Sequence, residues 1–286
     1  MQRTTIDNTI QLSGIGLFSA QPISLTIAPS TDQSGIVFHH AHTTIPATID
    51  FLSARPVHTA FAHIKPRCTS VGTDNCTIAT IEHLLSALAG LGITDASISI
   101  DTPNAHCELP ILDGSALDFV NAINQVGINA LHSDIEPIKV TTPIIIEEND
   151  SSITIEPADS PSYTYTLDYP NQSIPSATVT WNGDPNDYAN RIAQARTFCL
   201  KHEADALTNA GMFKHLSPKD MLVIGDTGPI DNTYRHPDEC ALHKLLDLIG
   251  DLALTNRPLC AKVTAIKSGH ALAHQAARAI MDQADS

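Results

Sequence analysis

The sequence predicts an α+β fold made of two similar domains. Short stretches of β-branched and alternating apolar residues, separated by Gly, Pro and Asp, predict strands. Apolar residues spaced three and four apart predict helices. The order of strands, helix, strand and helix occurs once before residue 132 and again after residue 138, although no residue-level repeat is visible. A chain of 286 residues is long enough to bury two cores of this kind.

The first domain is predicted over residues 1–132. Its first helix is expected at Ala79–Leu91, because leucine and isoleucine recur there at helical spacing and two glycines lie near its end. A second helix is expected at Ala116–Gln125, after the turn-rich segment ELPILDGS. The strands of this domain are expected at Thr5–Leu12, Ile23–Pro29, Gly35–His39 and Ala96–Ile100.

The second domain is predicted over residues 138–286, after a linker at Leu131–Pro137. A βα-type excursion is expected at residues 198–226. The helices are expected from Asn186 onward, at Cys240–Leu254 and after Gly269. The strands are expected at Ile138–Glu147, Ser152–Glu156, Tyr163–Tyr169, Ala177–Trp181 and Ala261–Lys267.

Charge is distributed unevenly along the chain. The sequence has 31 acidic and 16 basic residues, a net charge of −15. Residues 191–286 contain 11 of each, which leaves 20 acidic and 5 basic residues for the first 190 positions. A general nucleic-acid binder needs a basic face, so this class is excluded. If the protein binds an anionic ligand, the neutral last third is where that ligand is expected, but composition alone favours simple solvation of the acidic part as the explanation of the split.

The sequence also predicts a soluble, cytoplasmic protein. It contains no run of about 18 apolar residues, and the stretch MQRTTIDNTI lacks the hydrophobic centre of a signal peptide. Its six cysteines form no CxxC pair. This pattern favours free thiols over a disulfide framework or a zinc ribbon.

A row of polar residues interrupts the apolar helix predicted at 240–254. His243 and Asp247 lie one turn apart and project from one face, so they are able to bind one metal ion, and Asp251 continues the row. Buried imidazole and carboxylate groups are costly unless they are paired or bound to a metal. A surface salt bridge would show the same spacing, so the motif alone leaves both interpretations open.

A second polar pair, Glu82-His83, lies within the apolar helix of the first domain. A core histidine with a satisfied hydrogen bond is the simpler interpretation of such a pair. If His83 joins His243 and Asp247, the three form a His₂Asp set that leaves a fourth tetrahedral position for water, as in catalytic zinc sites. Glu82 would then be placed to accept the proton of that water.

Two further segments place reactive groups at the ends of predicted elements. Lys267 and His270 bracket a strand-to-helix turn, where a lysine and a helix N-terminus suit phosphate and the histidine suits a general acid. The alternative is that His270 only begins the helix and has no chemical role. Thr197, in the segment ARTF, either caps or packs, or donates a hydrogen bond to an oxyanion.

These segments together resemble the UDP-3-O-acyl-N-acetylglucosamine deacetylase family, the zinc amidases of lipid A synthesis. The resemblance extends along nearly the whole chain in six ordered motifs: SGIGLFSA, TIEHLLSALAGLGI, ELPILDGSA, ARTF, LHKLLDLIGDL and KSGHALAHQ. It implies that each domain is a β-sheet with helices packed on one face. It also implies that the active site lies between the domains.

The resemblance implies roles for individual residues in the metal and proton-transfer set. Glu82 matches the general base, His270 the histidine that assists as general acid, and Asp251 the carboxylate that orients this histidine. The metal would be one Zn²⁺ per chain, although Fe²⁺ also suits such ligands. The implied metal ligands are His83, His243 and Asp247.

Other implied roles concern the substrate. The excursion at 198–226 matches the family's usual source of an apolar slot for the acyl chain. The positions implied near the scissile amide are Lys244 and Thr197. The positions implied at the nucleotide and sugar are Lys267 and Phe198. The candidates for the wall of the acyl slot are Met212 and Phe213, for which ordinary core packing is an equal alternative.

The implied reaction is zinc-dependent hydrolysis of a linear amide C–N bond. The N-acetyl group of UDP-3-O-acyl-N-acetylglucosamine would be removed, with release of acetate and UDP-3-O-acyl-glucosamine, in the committed step of lipid A biosynthesis. The implied partner is this acylated UDP-amino sugar, with no nucleic acid, no transmembrane segment and at most peripheral membrane contact through the lipid substrate.

Some positions depart from the family pattern. Phe18 and Asn171 stand where the family has histidines, and the loop at 215–220 lacks the family's paired glycines. These positions lie outside the metal and proton-transfer set, so any effect is expected on acyl or sugar preference. Two alternatives remain at this point: a non-catalytic homologue that binds nucleotide sugar or zinc, and a zinc amidase for another acylamino sugar.

Overall fold

The computed structural model describes residues 1–63, 65–169, 173–218 and 221–286. Asn171 and the last two residues of the 215–220 loop therefore lie outside the described residues. Several sheets and six helices occur in the described part of the chain. The predicted α+β class is confirmed.

The first half of the chain contains a five-stranded sheet of order β2-β3-β8-β4-β5. A smaller sheet has the order β6-β7-β9, and β1 pairs with β10. The strands are β1 (Gln2–Ile6), β2 (Ile10–Ile15), β3 (Pro22–Pro29), β4 (Ile36–His40), β5 (Thr43–Pro46), β6 (Ser70–Thr73), β7 (Cys76–Ala79), β8 (Ala96–Asp101), β9 (His106–Glu108) and β10 (Ile128–Asp134). The helices are α1 (Glu82–Gly90) and α2 (Leu117–Val126).

The second half contains a sheet of order β12-β13-β19-β14-β15, with β11 also paired to β19. A smaller sheet has the order β16-β17-β18. The strands are β11 (Ile138–Lys139), β12 (Ile144–Glu148), β13 (Ser151–Pro157), β14 (Ser162–Leu167), β15 (Ala177–Trp181), β16 (Phe198–Leu200), β17 (Leu222–Gly225), β18 (Gly228–Pro229) and β19 (Leu259–Ile266). The helices are α3 (Pro185–Asp187), α4 (Lys201–Asn209), α5 (Glu239–Leu252) and α6 (His270–Ala284).

The two larger sheets share one strand pattern. In each, a central strand, β8 or β19, lies between two hairpins. This strand is antiparallel to one neighbour, β3 or β13, and parallel to the other, β4 or β14. The pattern agrees with two similar halves. The domain boundaries and an ancient duplication stay predictions.

The prediction of a linker at Leu131–Pro137 is wrong for residues 131–134. Strand β10 continues to Asp134 and pairs antiparallel with β1, with Thr4 opposite Ala130. Most of β10 is exposed, so it lacks the alternating apolar pattern that would have predicted a strand. The single strand predicted at Thr5–Leu12 is also divided into β1 and β2, where the backbone N–H of Asp7 donates to Gly127.

Helices of the two halves meet in the middle of the molecule. Helix α5 packs against β14 and β15 and also against α1. Leu84 and Leu88 of α1 and Leu245 of α5 are fully buried in one continuous core. Because α1 and α5 are buried on nearly all sides, their polar residues are enclosed at this contact.

Candidate metal centre and active site

Two helices supply the buried polar residues of the site. Glu82 and His83 occupy the first turn of α1, and His243, Asp247 and Asp251 form one row along α5. All five residues are at most 5% exposed. Since α1 packs on α5, residues about 160 positions apart in sequence lie in one cluster.

His83, His243 and Asp247 form a group able to hold a metal ion. Their ligand atoms all lie within 4.8 Å of one another. Asp247 Oδ1 is 3.7 Å from His83 Nε2 and 3.4 Å from His243 Nε2. Tetrahedral zinc with ligands at about 2.1 Å separates two ligand atoms by about 3.4 Å. The spacing of these donors therefore fits a tetrahedral metal ion.

The protonation states of the three residues also suit metal binding. Burial lowers the pKa of His83 to about 3, so its ring is neutral. Burial likewise lowers the pKa of His243, although Asp247 opposes the shift. The Nδ1–H of His243 donates to the Ala195 carbonyl at 3.0 Å, which leaves Nε2 free to face the group.

Asp247 is held as a carboxylate. Burial opposes its ionisation, but the His243 ring and the Lys244 ammonium hold its pKa well below the ordinary value. Lys244 Nζ donates to Asp247 Oδ2 at 2.6 Å, while Oδ1 faces the two histidines. Asp247 Oδ1 and the two neutral imidazoles form a donor set that fits a divalent cation.

Glu82 lies beside this group, and the pKa of its carboxyl group is unusual. Burial raises the pKa of Glu82 to about 7, a shift that the neighbouring Asp247 reinforces. Its Oε2 accepts the backbone N–H of Thr69 at 3.0 Å. A carboxyl group that titrates near neutral pH is suited to accept and return a proton.

His270 and Asp251 form a buried pair. His270 Nδ1 donates to Asp251 Oδ2 at 2.8 Å. Burial alone would lower the pKa of His270, but Asp251 raises it to about 9. The pKa of Asp251 is held below its ordinary value by His270, against the effect of burial. The pair therefore keeps a protonated imidazole available as a proton donor.

A cavity of about 360 Å³ opens beside these groups. It is lined by His243, Asp247 and His270, and also by the remaining predicted positions near the amide and the sugar: Thr197, Phe198, Lys244 and Lys267. The ring of Phe198 lies 6.3 Å from those of Tyr169 and His243. Lys267 forms ion pairs with Asp150 and Asp168 at the rim.

Met212 and Phe213, both in the described part of the chain, lie outside this cavity. Phe213 instead contacts Phe18, with ring centroids 5.7 Å apart, and Phe18 also packs on Phe61 at 5.4 Å. The backbone N–H groups of Phe18 and Ser19 donate to the buried Glu108 carboxylate. Phe18 is thus part of an aromatic cluster with Phe61 and Phe213.

The excursion has the predicted kind of structure. Strand β16, helix α4 and strand β17 form a βαβ unit in which β16 and β17 are parallel. Its start is fixed by Arg196, whose buried guanidinium pairs with Glu239 at 2.8 Å. The same Glu239 carboxylate accepts the backbone N–H groups of Arg196 and Arg235.

Several residues of the site were missed from the sequence. Thr69 and His274 contact Asp251, and Lys65 and Arg67 line the cavity from the first half of the chain. His274 follows His270 by one helical turn, a spacing that would have indicated a shared face. Thr69 carries no such signal, because its partners are distant in sequence.

Comparisons with known proteins agree along the whole length. A family model described as UDP-3-O-acyl N-acetylglycosamine deacetylase matches residues 3–282. A protein of Leptospira biflexa serovar Patoc named UDP-3-O-acyl-N-acetylglucosamine deacetylase is 34% identical over 99% of this chain and 91% of its own length. Proteins of the same name from Myxococcus xanthus and Geotalea uraniireducens are 31% and 33% identical, over 97% and 98% of this chain and 85% and 89% of their own.

Among the described residues, no helix is both long enough and apolar enough to cross a bilayer.

Proposed function

Since the chain belongs to the UDP-3-O-acyl N-acetylglycosamine deacetylase family, we propose that it removes the N-acetyl group of UDP-3-O-acyl-N-acetylglucosamine. The products are acetate and UDP-3-O-acyl-glucosamine, in the committed step of lipid A biosynthesis. One observation carries this proposal: the group His83, His243 and Asp247 lies beside a carboxyl group of raised pKa and a paired histidine. Such a set serves metal-assisted amide hydrolysis.

The metal is proposed to be Zn²⁺, with Fe²⁺ as the other candidate, held by His83, His243 and Asp247. When bound, such an ion lowers the pKa of water and polarises the amide carbonyl. Glu82 accepts the proton of the attacking water, which its pKa of about 7 permits near neutral pH. Lys244 is paired with the metal ligand Asp247, so we place its ammonium next to the scissile amide.

Thr197 and His270 act on the charge that develops during the reaction. Both line the cavity beside the metal ligands. The hydroxyl of Thr197 and the cationic groups of Lys244 and His270 stabilise the oxyanion of the tetrahedral intermediate. The free Nε2 of His270 then gives a proton to the leaving amine, while Asp251 holds Nδ1.

The substrate is proposed to lie in the cavity with its diphosphate near the basic residues of the rim. Lys267 supplies a cation there, and the half-buried ring of Phe198, which lines the cavity, supplies an apolar contact for the sugar. The acyl chain is proposed to leave toward the βαβ excursion, where Met212 and Phe213 are candidates for its wall. The aromatic contacts of Phe213 with Phe18 support an apolar surface on this side.

The remaining parts of the proposal concern organisation and location. Residues 1–132 would form one domain that supplies Glu82 and His83, and residues 138–286 a second that supplies His243, Asp247 and His270. The protein would act in the cytoplasm, with at most peripheral membrane contact through its lipid substrate.

The test combines metal analysis with an acetate-release assay on the acylated UDP-amino sugar. The purified full chain is expected to contain about one zinc or iron per molecule and to release acetate. Glu82→Gln is expected to lower kcat by roughly 10²- to 10⁴-fold with unchanged metal content, whereas the exposed Glu147→Gln is expected to retain activity. His83→Ala is expected to lose both metal and activity.

Three outcomes would contradict the proposal. Metal-loaded protein that binds the nucleotide sugar without turnover would indicate a non-catalytic homologue. Cleavage of other acylamino sugars but not the nucleotide substrate would indicate a different amidase. Full activity in His83→Ala would refute the assigned metal ligands.

A further inference from the structure

One buried threonine contacts both proton-transfer groups of the site. Thr69, immediately before β6, is fully buried. Its backbone N–H donates to Glu82 Oε2 at 3.0 Å. Its hydroxyl donates to Asp251 Oδ1, the carboxylate that also accepts His270 Nδ1. A single residue therefore joins the carboxyl group on α1 to the Asp251–His270 pair on α5 and α6.

A second histidine extends this contact. His274 follows His270 by one turn of α6, and the two rings stack with centroids 6.2 Å apart. His274 Nε2 lies 2.8 Å from the Thr69 hydroxyl oxygen. His274 is only 7% exposed, so water has little access to this contact.

The direction of each hydrogen bond follows from proton counting. A hydroxyl has one hydrogen, and an ionised carboxylate only accepts. Thr69 must therefore give its hydrogen to Asp251, since two facing oxygens without a proton would repel each other. The His274 contact then requires that His274 Nε2–H donates to the Thr69 oxygen. The chain of bonds runs from His274 through Thr69 to Asp251, and His270 donates to the other oxygen of that carboxylate.

We propose that Thr69 and His274 are positioning residues of the reaction, which fix the Asp251 carboxylate and through it the orientation of His270. This inference rests on the proposed deacetylase function. With both oxygens of Asp251 engaged, the carboxylate cannot rotate about its last side-chain bond. His270 Nε2 therefore stays directed at the cavity, while the main chain of Thr69 fixes Glu82 from the same point.

Two substitutions of Thr69 test the effect of its hydroxyl separately from that of its backbone and side-chain shape. Thr69→Val keeps the side-chain shape and the backbone N–H to Glu82 but lacks the hydroxyl, and Thr69→Ser restores it. In the metal-loaded full chain, Thr69→Val is expected to lower kcat roughly 10- to 100-fold with KM within about twofold. Thr69→Ser is expected to recover most of this loss. Thr255→Val is the control, because Thr255 is equally buried and its hydroxyl bonds to backbone carbonyls elsewhere.

His274 supplies an independent pair of variants. His274→Leu lacks the donor and is expected to slow kcat in the same way, and His274→Gln, whose amide can donate to Thr69, is expected to recover part of it. A structural readout accompanies the kinetics: the strongly hydrogen-bonded Nδ1–H proton of His270, observed by NMR, is expected to shift or broaden in Thr69→Val and to return in Thr69→Ser. If Thr69→Val does not fold, the comparison of His274→Leu with His274→Gln tests the positioning role instead.

The outcomes distinguish this inference from the proposed function. Wild-type kcat and an unchanged His270 resonance in both Thr69→Val and His274→Leu would overturn the positioning role while acetate release stands. Equal slowing by Thr69→Ser and Thr69→Val would also overturn it. Absence of acetate release from the wild-type chain would refute the proposed function, whereas the His270 resonance would still report whether Thr69 and His274 hold the pair.

Discussion

Gly250 of α5 lies directly against the main chain of Glu82 on α1. A Cβ atom placed on Gly250 would be 2.0 Å from the Glu82 carbonyl oxygen and 2.8 Å from the carbonyl carbon. The absent side chain therefore lets the two helices touch backbone to backbone. Gly250 lies between Asp247 and Asp251, so this contact sets how closely His83 approaches Asp247.

Substitution of Gly250 by alanine is expected to separate the two halves of the metal group. The added methyl cannot be accommodated by a flexible side chain, because the atoms it meets belong to the backbone. We expect a loss of about 1–3 kcal/mol in the free energy of unfolding, together with weaker metal binding and loss of activity. Urea denaturation and metal titration measure these changes.

Gly269→Ala provides the matched control for stability. An added Cβ at Gly269 would meet no atom within 4 Å, and the backbone there is extended, with φ −138°. The same extra methyl should therefore leave the free energy of unfolding nearly unchanged. Equal destabilisation by the two substitutions would contradict the role assigned to the Gly250 contact.

The dependence of activity on pH follows from Glu82 and His270. Glu82 acts as a base in its ionised form, and burial raises its pKa to about 7, so kcat/KM should rise with pH up to this region. A bound cation favours the carboxylate and moves this limb to lower pH. His270 acts as an acid in its protonated form, so kcat/KM should fall above about pH 9. A bell-shaped profile is the expected measurement.

Asp251→Asn tests the assignment of the alkaline limb. Burial lowers the pKa of His270, and Asp251 is the main group that raises it, with a smaller contribution from Asp247. Without the carboxylate, the pKa of His270 should fall, and the alkaline limb should move to lower pH. An alkaline limb unchanged in Asp251→Asn would show that another group sets it.

Elements with a strong local pattern were predictable from the sequence. Helices α1 and α5 carry apolar residues at helical spacing, and β19 alternates between buried and more exposed positions. By contrast, β7 and β9 were missed. They are four and three residues long and exist through pairing with each other, as between Thr77 and His106.

The residues of the site also fall into two groups: those that a local sequence pattern predicts and those that only tertiary packing brings into place. His243, Asp247 and Asp251 share a face by helical spacing, which the sequence contains. That His83 joins them depends on the packing of α1 on α5; the residues alone offered this as one of two interpretations, and the family resemblance implied it. Thr69 contacts Glu82, 13 positions away, and Asp251, 182 positions away, so no local pattern points to it.

Loss of the Glu239 carboxylate is expected to destabilise the protein strongly. Glu239 is fully buried and accepts from the guanidinium of Arg196 and from two backbone N–H groups. Glu239→Ala leaves a buried cation without its partner, which typically costs about 3–5 kcal/mol. The exposed pair of Lys201 and Asp205 is the control, since Asp205→Ala should cost at most about 0.5 kcal/mol. Similar unfolding free energies for the two variants would contradict this assignment.

Arg67 is expected to contribute to binding of the substrate's diphosphate. It lines the cavity together with Lys65, although the first 190 residues contain only 5 basic residues. Its guanidinium lies 3.7 Å from the Glu203 carboxylate, a distance too long for a strong hydrogen bond, and is 52% exposed. Arg67→Ala should raise KM for the nucleotide sugar about three- to tenfold with little change in kcat.

Arg55→Ala is the control for this prediction, because Arg55 belongs to the same half of the chain but lines a different cavity. The difference in KM between Arg67→Ala and the wild type should shrink as salt is raised, since the contact is electrostatic and exposed. Inhibition by free UDP should weaken in Arg67→Ala by a similar factor, because UDP retains the diphosphate but lacks the sugar and acyl chain. A KM that rises equally in Arg55→Ala would indicate a general charge effect. Unchanged UDP inhibition in Arg67→Ala would place the diphosphate elsewhere in the cavity.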